Sequence, residues 1–301
     1  PAWLIGGIGT LATVAASAVL LFGSVSSWGS TPVRAFANQV QPLPLGYAEG
    51  CHTGRVPASQ LLGTESCIWN AEATGPPIYL VGDSNAAMYS NALLLVASDL
   101  GRPFVMATRP GCSVADASFQ LERLDSEHSD CLAFVDRVTD RLLNSEPGTV
   151  LTASANGGLS TRVSLGSAPS SQEMEDRAEA FALTLQTWRE AGHTVQVISG
   201  LPPLFEGDGS TLWHPSQCAL LTLRSPETCG VQRRLDTYPE WQALSRQLEI
   251  TAATNAGASF IDLIDQFCPS GICLSNIDNS WTYRDGRHIS VPFSEGLAGT
   301  L

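Results

Sequence analysis

Ile78-Tyr79-Leu80-Val81-Gly82-Asp83-Ser84-Asn85-Ala86 is the stretch on which the reading of this chain turns. Four apolar residues run into a glycine, the pattern of a short buried strand. An acid and a hydroxyl follow at once. From Asn85 to Leu100 the apolar residues recur with helical period and stop at Gly101, the mark of a helix with a glycine end. The unit is therefore strand, tight junction, helix, and it recurs. Phe104 to Ala107 reads as a second strand, and Cys131 to Leu143 as a helix stopped near Pro147. Thr149 to Ala153 reads as a third strand, followed by a long helix over Gln172 to Ala191. Thr194 to Ile198 is a fourth strand, Trp241 to Asn255 a helix before Gly257, and Ser259 to Leu263 a fifth strand. The chain turns helical again from Val291. Repeated strand–helix units predict an α/β fold, with a mostly parallel five-stranded sheet covered on both faces.

In open sheets of this kind, active sites form beyond the C-terminal ends of the strands. Gly82-Asp83-Ser84 lies at the end of the first strand, Gly111 after the second, Asn156 after the third, and Asp285 and His288 after the fifth. All candidate groups thus fall on one edge. Ser84 offers a hydroxyl at a helix N-terminus, where aligned peptide dipoles favour a developing oxyanion. Taken alone, the tripeptide is more simply a structural N-cap, which favours Asp and Ser at such a junction. Asp285 precedes His288 by three residues in Tyr283-Arg284-Asp285-Gly286-Arg287-His288-Ile289-Ser290. An imidazole takes a serine proton, and a carboxylate orients the ring and stabilises its cation. The plainer alternative is a surface Asp beside a surface His. Gly111 in Arg109-Pro110-Gly111-Cys112 and Asn156 in Ser154-Ala155-Asn156-Gly157 offer further donors, or simple turns. Ser154 competes with Asn156 as the inward-facing group.

The flanks and cysteines set the location. No charged residue occurs from Trp3 to Phe22. A run of about 20 apolar residues is long enough to cross a bilayer, and the absence of a preceding basic residue argues against a signal peptide. Residues 1–23 are expected to be a transmembrane helix, the last span of a larger membrane protein, and the Ser-, Pro- and Gly-rich residues 24–75 a linker arm. Residues 76–301 form the globular domain. The eight cysteines of the chain fall into near-neighbour pairs: Cys51 with Cys67, Cys112 with Cys131, Cys218 with Cys229, and Cys268 with Cys273. None has the Cys-x-x-Cys spacing of a zinc site, so four local disulfides in an oxidising compartment are expected, with no metal. All sixteen basic residues are arginine, and the net charge is −13. Such a surface disfavours nucleic acid and anionic lipid headgroups as partners.

Gly82-Asp83-Ser84, a later Gly, a later Asn and a closing Asp-x-x-His together resemble the SGNH (GDSL-type) hydrolases. The order is most similar to the SGNH domain fused to membrane O-acyltransferases of the acyltransferase-3 family. Leu80 to Ala86, Arg109 to Cys112, Val197-Ile198-Ser199-Gly200-Leu201-Pro202-Pro203, Phe260 to Leu263 and Tyr283 to Ser290 carry the resemblance. It implies a three-layer SGNH-like fold, with Ser84 as nucleophile, His288 as base and Asp285 as its orienting acid. The Ser84 and Gly111 N–H groups and the Asn156 side chain would form the oxyanion hole. It further implies an extracytoplasmic O-acyltransferase without cofactor. Its partners would be a membrane domain that delivers the acyl group and a cell-envelope glycan that accepts it. Two departures stand out: Asn85 replaces a frequent His, and the block around Asn156 is not the usual Gly-x-Asn-Asp. An anchored esterase using the same triad and a non-catalytic binding domain are the alternatives.

Overall fold

The computed structural model describes residues 40, 42–52, 67–116, 126–155, 170–205, 212–215, 230–278 and 280–301. The apolar run 1–23 lies outside them. Among the described residues no helix is long and apolar enough to cross a membrane.

A short helix α1 (Leu45–Ala48) leads into the fold. A six-stranded sheet follows, built from β1 (Ile68–Trp69), β2 (Ile78–Gly82), β3 (Phe104–Thr108), β4 (Thr149–Ala153), β5 (Thr194–Ile198) and β7 (Ser259–Ile261). The spatial order is β1-β3-β2-β4-β5-β7. The five expected strands all pair in parallel. The sheet has six strands rather than five because β1 adds antiparallel to β3, with Ile68 opposite Val105 and Trp69 opposite Phe104. A two-residue strand is too short to carry a period-two pattern. Its place is held by the Trp69 ring stacked on Phe104 at 5.3 Å and by the Cys51–Cys67 disulfide.

The central position of β2 explains its unbroken apolar run, since every residue of it is buried. Successive side chains leave on opposite faces. Leu80 packs with Leu93 and Ala97 of α3 (Ser90–Asp99), while Tyr79 and Val81 face Phe134 and Val138 of α4 (Ser126–Leu143). The second face is completed by Phe181, Leu185 and Trp188 of α5 (Ser171–Glu190) and by Ala252 and Ala253 of α6 (Glu240–Asn255). Helices thus cover both faces of the sheet. The single helix expected from Asn85 to Leu100 is two, α2 (Ser84–Ala87) and α3, separated at Met88 and Tyr89. No Gly or Pro marks that break, and apolar periodicity runs through it. A short strand β6 (Gln232–Arg234) pairs with β8 (Ile272–Leu274) outside the main sheet. A final helix, α7 (Val291–Gly296), closes the chain.

The described cysteines pair as expected: Cys51–Cys67, Cys112–Cys131 and Cys268–Cys273. Cys218 and Cys229 lie outside the described residues.

Glu249 of α6 is 1% exposed. Burial pushes its carboxyl from an ordinary 4.5 up to about 8, against the weaker opposing pull of the Gly200 N–H and of Arg246. Between those values the unfolded chain has released this proton and the folded chain still holds it. Stability attributable to Glu249 therefore falls as pH rises from about 4.5 to about 8, by about 1.4 kcal/mol per pH unit. Glu249→Gln is expected to remove that slope and to be the more stable form near neutral pH. Urea unfolding across this range measures it; parallel pH profiles for the two proteins would contradict it.

Candidate active site

The site is assembled where β2 ends. Gly82 carries a φ of +145°, open to glycine and rarely to other residues. A side chain there would run into the Ala153 carbonyl of β4 and stand 2.9 Å from the Ala86 Cβ. Gly82→Ala is therefore expected to cost about 3 kcal/mol, seen as a fall of roughly 10 °C in the thermal midpoint. A midpoint within a degree or two of wild type would show that the junction tolerates a side chain.

Asp83 is 4% exposed and caps α2. Its Oδ1 accepts the Asn85 N–H at 2.7 Å, and its Oδ2 accepts the Ala155 N–H at 2.9 Å. The carboxylate thus fastens the Ser84 junction to the loop leaving β4. The N-cap that the sequence offered at this junction is Asp83; its bond to the loop after β4 has no local signature.

Ser84 opens α2. Its Oγ lies 2.9 Å from Nε2 of His288, although 204 residues separate them in sequence. Nδ1 of the same ring is 3.0 Å from both Asp285 carboxylate oxygens. A carboxylate only accepts, so Nδ1 carries the ring proton, and the Nε2 lone pair faces the Ser84 hydroxyl. Asp285 Oδ1 also accepts the backbone N–H groups of Arg287 and His288, each at 2.9 Å. Burial pushes the Asp285 carboxyl up, but the His288 ring and these two N–H groups outweigh it and hold the acid below its ordinary value.

The Asp285–His288 turn is itself pinned. Arg284 N–H donates to the His288 carbonyl at 2.9 Å, and Tyr283 bridges Ile289. Gly286 packs so closely on the Leu204 and Trp213 carbonyls that a Cβ would stand 2.6 and 2.7 Å from them.

Gly111 lies on the turn after β3 with a φ of +63° and open space where a side chain would point. That turn reaches the same edge, because the Arg109 N–H donates to the Gly82 carbonyl at 3.0 Å. The Cys112–Cys131 disulfide ties it to α4. Asn156 lies outside the described residues. Ser154, its rival, is buried with its Oγ 3.1 Å from Ser113 Oγ, so it links the loops after β3 and β4.

Two further side chains join the site from the linker arm, where no strand–helix pattern pointed to them. Tyr47 stands on α1, which packs against α2, close enough for Asp83, Ser84 and Asp285 to act on its hydroxyl. Burial, countered by Arg284 and reinforced by Asp83 and Asp285, pushes that hydroxyl up to about 12. The Tyr47 ring packs on the His52 ring at 4.2 Å, and His52 Nδ1 lies 2.9 Å from Thr108 Oγ1 at the end of β3. Burial, with a contribution from His288, pushes the His52 imidazole down to about 4 and keeps it neutral near neutral pH. The arm is seated by the Leu45 N–H on Asn91 Oδ1 at 2.9 Å and the Gly46 N–H on Ser90 Oγ at 3.3 Å. Among the described residues, no cluster of His, Cys, Asp and Glu is placed to hold a metal ion.

A hydroxyl, an imidazole and a carboxylate in series, at the C-terminal edge of a parallel sheet, define a class: enzymes that move acyl groups through a serine. The family model of the SGNH domain (fused to AT3 domains) matches residues 50–301, and the chain belongs to that family. It is accordingly an acyltransferase or ester hydrolase of the SGNH type. Among solved structures it is similar to the periplasmic domain of a lipopolysaccharide acetyltransferase from Salmonella ser. Paratyphi A. The two are 16% identical over 92% of this chain and 97% of that one, with a TM-score of 0.55. A putative SGNH hydrolase from Slackia heliotrinireducens matches at 15% identity over 75% of this chain and 97% of its own, with a TM-score of 0.47. An acetyl xylan esterase matches at 13% identity over 75% and 97%, with a TM-score of 0.45. No curated protein sequence matches the chain.

Proposed function

We propose that this chain is an extracytoplasmic, serine-dependent O-acyltransferase that passes an acetyl group to a cell-envelope carbohydrate through an acyl-serine. The observation that carries the reading is the Ser84–His288–Asp285 relay, with both of its hydrogen-bond steps in place. Ser84 Oγ attacks the donor carbonyl while His288 Nε2 takes its proton. The Ser84 N–H, the Gly111 N–H and the Asn156 amide stabilise the oxyanion. His288 returns the proton to the departing group, leaving acetyl on Ser84. A sugar hydroxyl then gives its proton to His288 and attacks the acyl carbon, and the proton returns to Ser84 Oγ as that bond breaks.

The acetyl donor is delivered by a membrane acyltransferase domain, a reading supported by the family's fusion to AT3 domains. Residues 1–23 cross the membrane, 24–75 lead outward, and 76–301 carry the chemistry. Three disulfides among the described residues support an oxidising, extracytoplasmic setting. The envelope glycan as acceptor is supported by the fold shared with a lipopolysaccharide acetyltransferase domain.

Transfer requires that water be kept from the acyl-serine. In this reading Tyr47, on the helix packed against α2, and His52, packed on the Tyr47 ring, supply that cover. The test compares acetylated glycan with free acetate when an activated acetyl ester and envelope polysaccharide are supplied together. A glycan product that rises with acceptor concentration is expected. Acetate release unaffected by acceptor would replace the transferase with an esterase.

A further inference from the structure

The triad takes no residue from the chain before β1, yet α1 is fastened to the catalytic edge. It packs on α2, whose first residue is Ser84, and on α3. Its Gly46 leaves no room for a Cβ against the Met106 side chain of β3, so the helix backbone comes close to the sheet. His52 extends the same seat. Its N–H donates to the Gly46 carbonyl at 2.9 Å, and its backbone bridges Thr108 at the end of β3. Thr108 stands opposite Gly82, two residues before Ser84. The Cys51–Cys67 disulfide closes this segment onto the start of β1. Tyr47, its ring 4.2 Å from that of His52, is therefore held at the junction where β2 becomes α2.

A cover against water needs only an aromatic ring, and phenylalanine would supply one. Tyr47 adds a hydroxyl, and Arg284, Asp83, Asp285 and Ser84 all stand close enough to act on it. Burial and the two carboxylates keep its proton in place through the neutral range, so it is available as a donor there. One reacting oxygen beside it gains negative charge. When the acyl-serine is broken, the electron pair of the bond stays on Ser84 Oγ. Asp83 and Asp285 oppose a further negative charge in their midst. His288 offsets this by returning its proton, and a second donor at Oγ stabilises the charge while the bond is still opening.

We propose that Tyr47 is a further catalytic residue, whose hydroxyl donates a hydrogen bond to Ser84 Oγ as the bond between Oγ and the acyl carbon breaks. The acceptor's proton goes to His288 Nε2, the acceptor oxygen bonds to the acyl carbon, and the bond to Oγ opens. The proton on His288 then passes to Oγ, and Tyr47 keeps its own. This role rests on the acyl-serine of the proposed reaction and not on the identity of the acceptor, so water serves in the test as well as a sugar.

The full chain in detergent is given a pulse of para-nitrophenyl acetate, quenched with acid at successive times and digested. Mass spectrometry reads the fraction of Ser84 that carries acetyl. Tyr47→Phe keeps the ring on His52 and removes only the hydroxyl. Its acetyl-Ser84 is expected to persist about tenfold longer than that of wild type. The burst of nitrophenolate that forms it should slow by less, because nitrophenolate is a good leaving group. Loss of cover has the opposite sign, since water would then reach the ester and shorten its life. An equal or shorter lifetime in Tyr47→Phe, at an unchanged thermal midpoint, overturns the proposal. Should that midpoint fall, Tyr47→meta-fluorotyrosine takes its place. This is a stronger donor of nearly the same shape and is expected to shorten the lifetime; an unchanged lifetime overturns the proposal. Acetyl-Ser84 that forms and decays equally in both proteins removes the donor alone. A folded chain whose Ser84 carries no acetyl in either protein removes the acyl-serine reading and the donor with it.

Discussion

Ser84→Ala is expected to lower hydrolysis of an activated acetyl ester, and acetyl transfer from it, by about 10⁴-fold or more, with the fold intact. The reason lies in the single 2.9 Å contact between Ser84 Oγ and His288 Nε2. Without the hydroxyl there is no acyl acceptor on the protein, and residual turnover must use water held by the donor groups around the site. His288→Ala should cost a similar factor, because the hydroxyl is then left with no base. The double variant should be scarcely worse than either single one, since the two groups act in one step. The alanine introduces no strain at the first residue of α2, and the Asp83 cap that organises the turn is untouched. Steady-state rates, with circular dichroism as a fold control, decide it. A loss below tenfold in a folded protein would remove Ser84 from the chemistry.

Asp285→Asn is the second large effect, expected at about 10⁴-fold in kcat with little change in KM. Asp285 serves three donors: the His288 ring and the backbone N–H groups of Arg287 and His288. An Asn side chain satisfies the two backbone groups with its carbonyl oxygen and turns its amide toward Nδ1. Nδ1 must then accept, which moves the ring proton to Nε2, toward the hydroxyl it should deprotonate. The turn survives and the tautomer is wrong. Asp285→Ala, by contrast, also leaves the two backbone donors unpaired, and should lower stability as well as rate. Equal losses of stability in the two variants would contradict this division of labour.

How much of this was legible in the sequence depended on whether a residue's role was local. Ile78 to Gly82 was readable as a strand because β2 is central and buried on both faces, and the chain had to be apolar there. Asp285 and His288 were readable because one turn brings them together. The pairing of Ser84 with His288 was not local, and it followed only from placing both at one sheet edge. Three cysteine pairs were readable because each closes a short loop. What was missed is what depends on distant packing. β1 is held by Trp69 on Phe104 rather than by a strand pattern, the Met88–Tyr89 break has no Gly or Pro, and Asp83 bonds to Ala155 across the sheet. Tyr47 comes to the α2 junction from a stretch that reads as a linker or a packed arm, and His52, against its ring, from an entry loop with no chemical motif. Nothing in the sequence marked Glu249 on α6, and its burial appears only when the turn after β5 packs against it.

The central claim, that Ser84 is made nucleophilic by His288, is tested most directly by covalent labelling. The folded chain is treated with a fluorophosphonate, digested, and the modified residue located by mass spectrometry. The account predicts a label on Ser84 in the wild type, and a labelling rate reduced by several orders of magnitude in His288→Ala. An unlabelled Ser84 in the folded wild-type chain, or equal labelling in the two proteins, would contradict it.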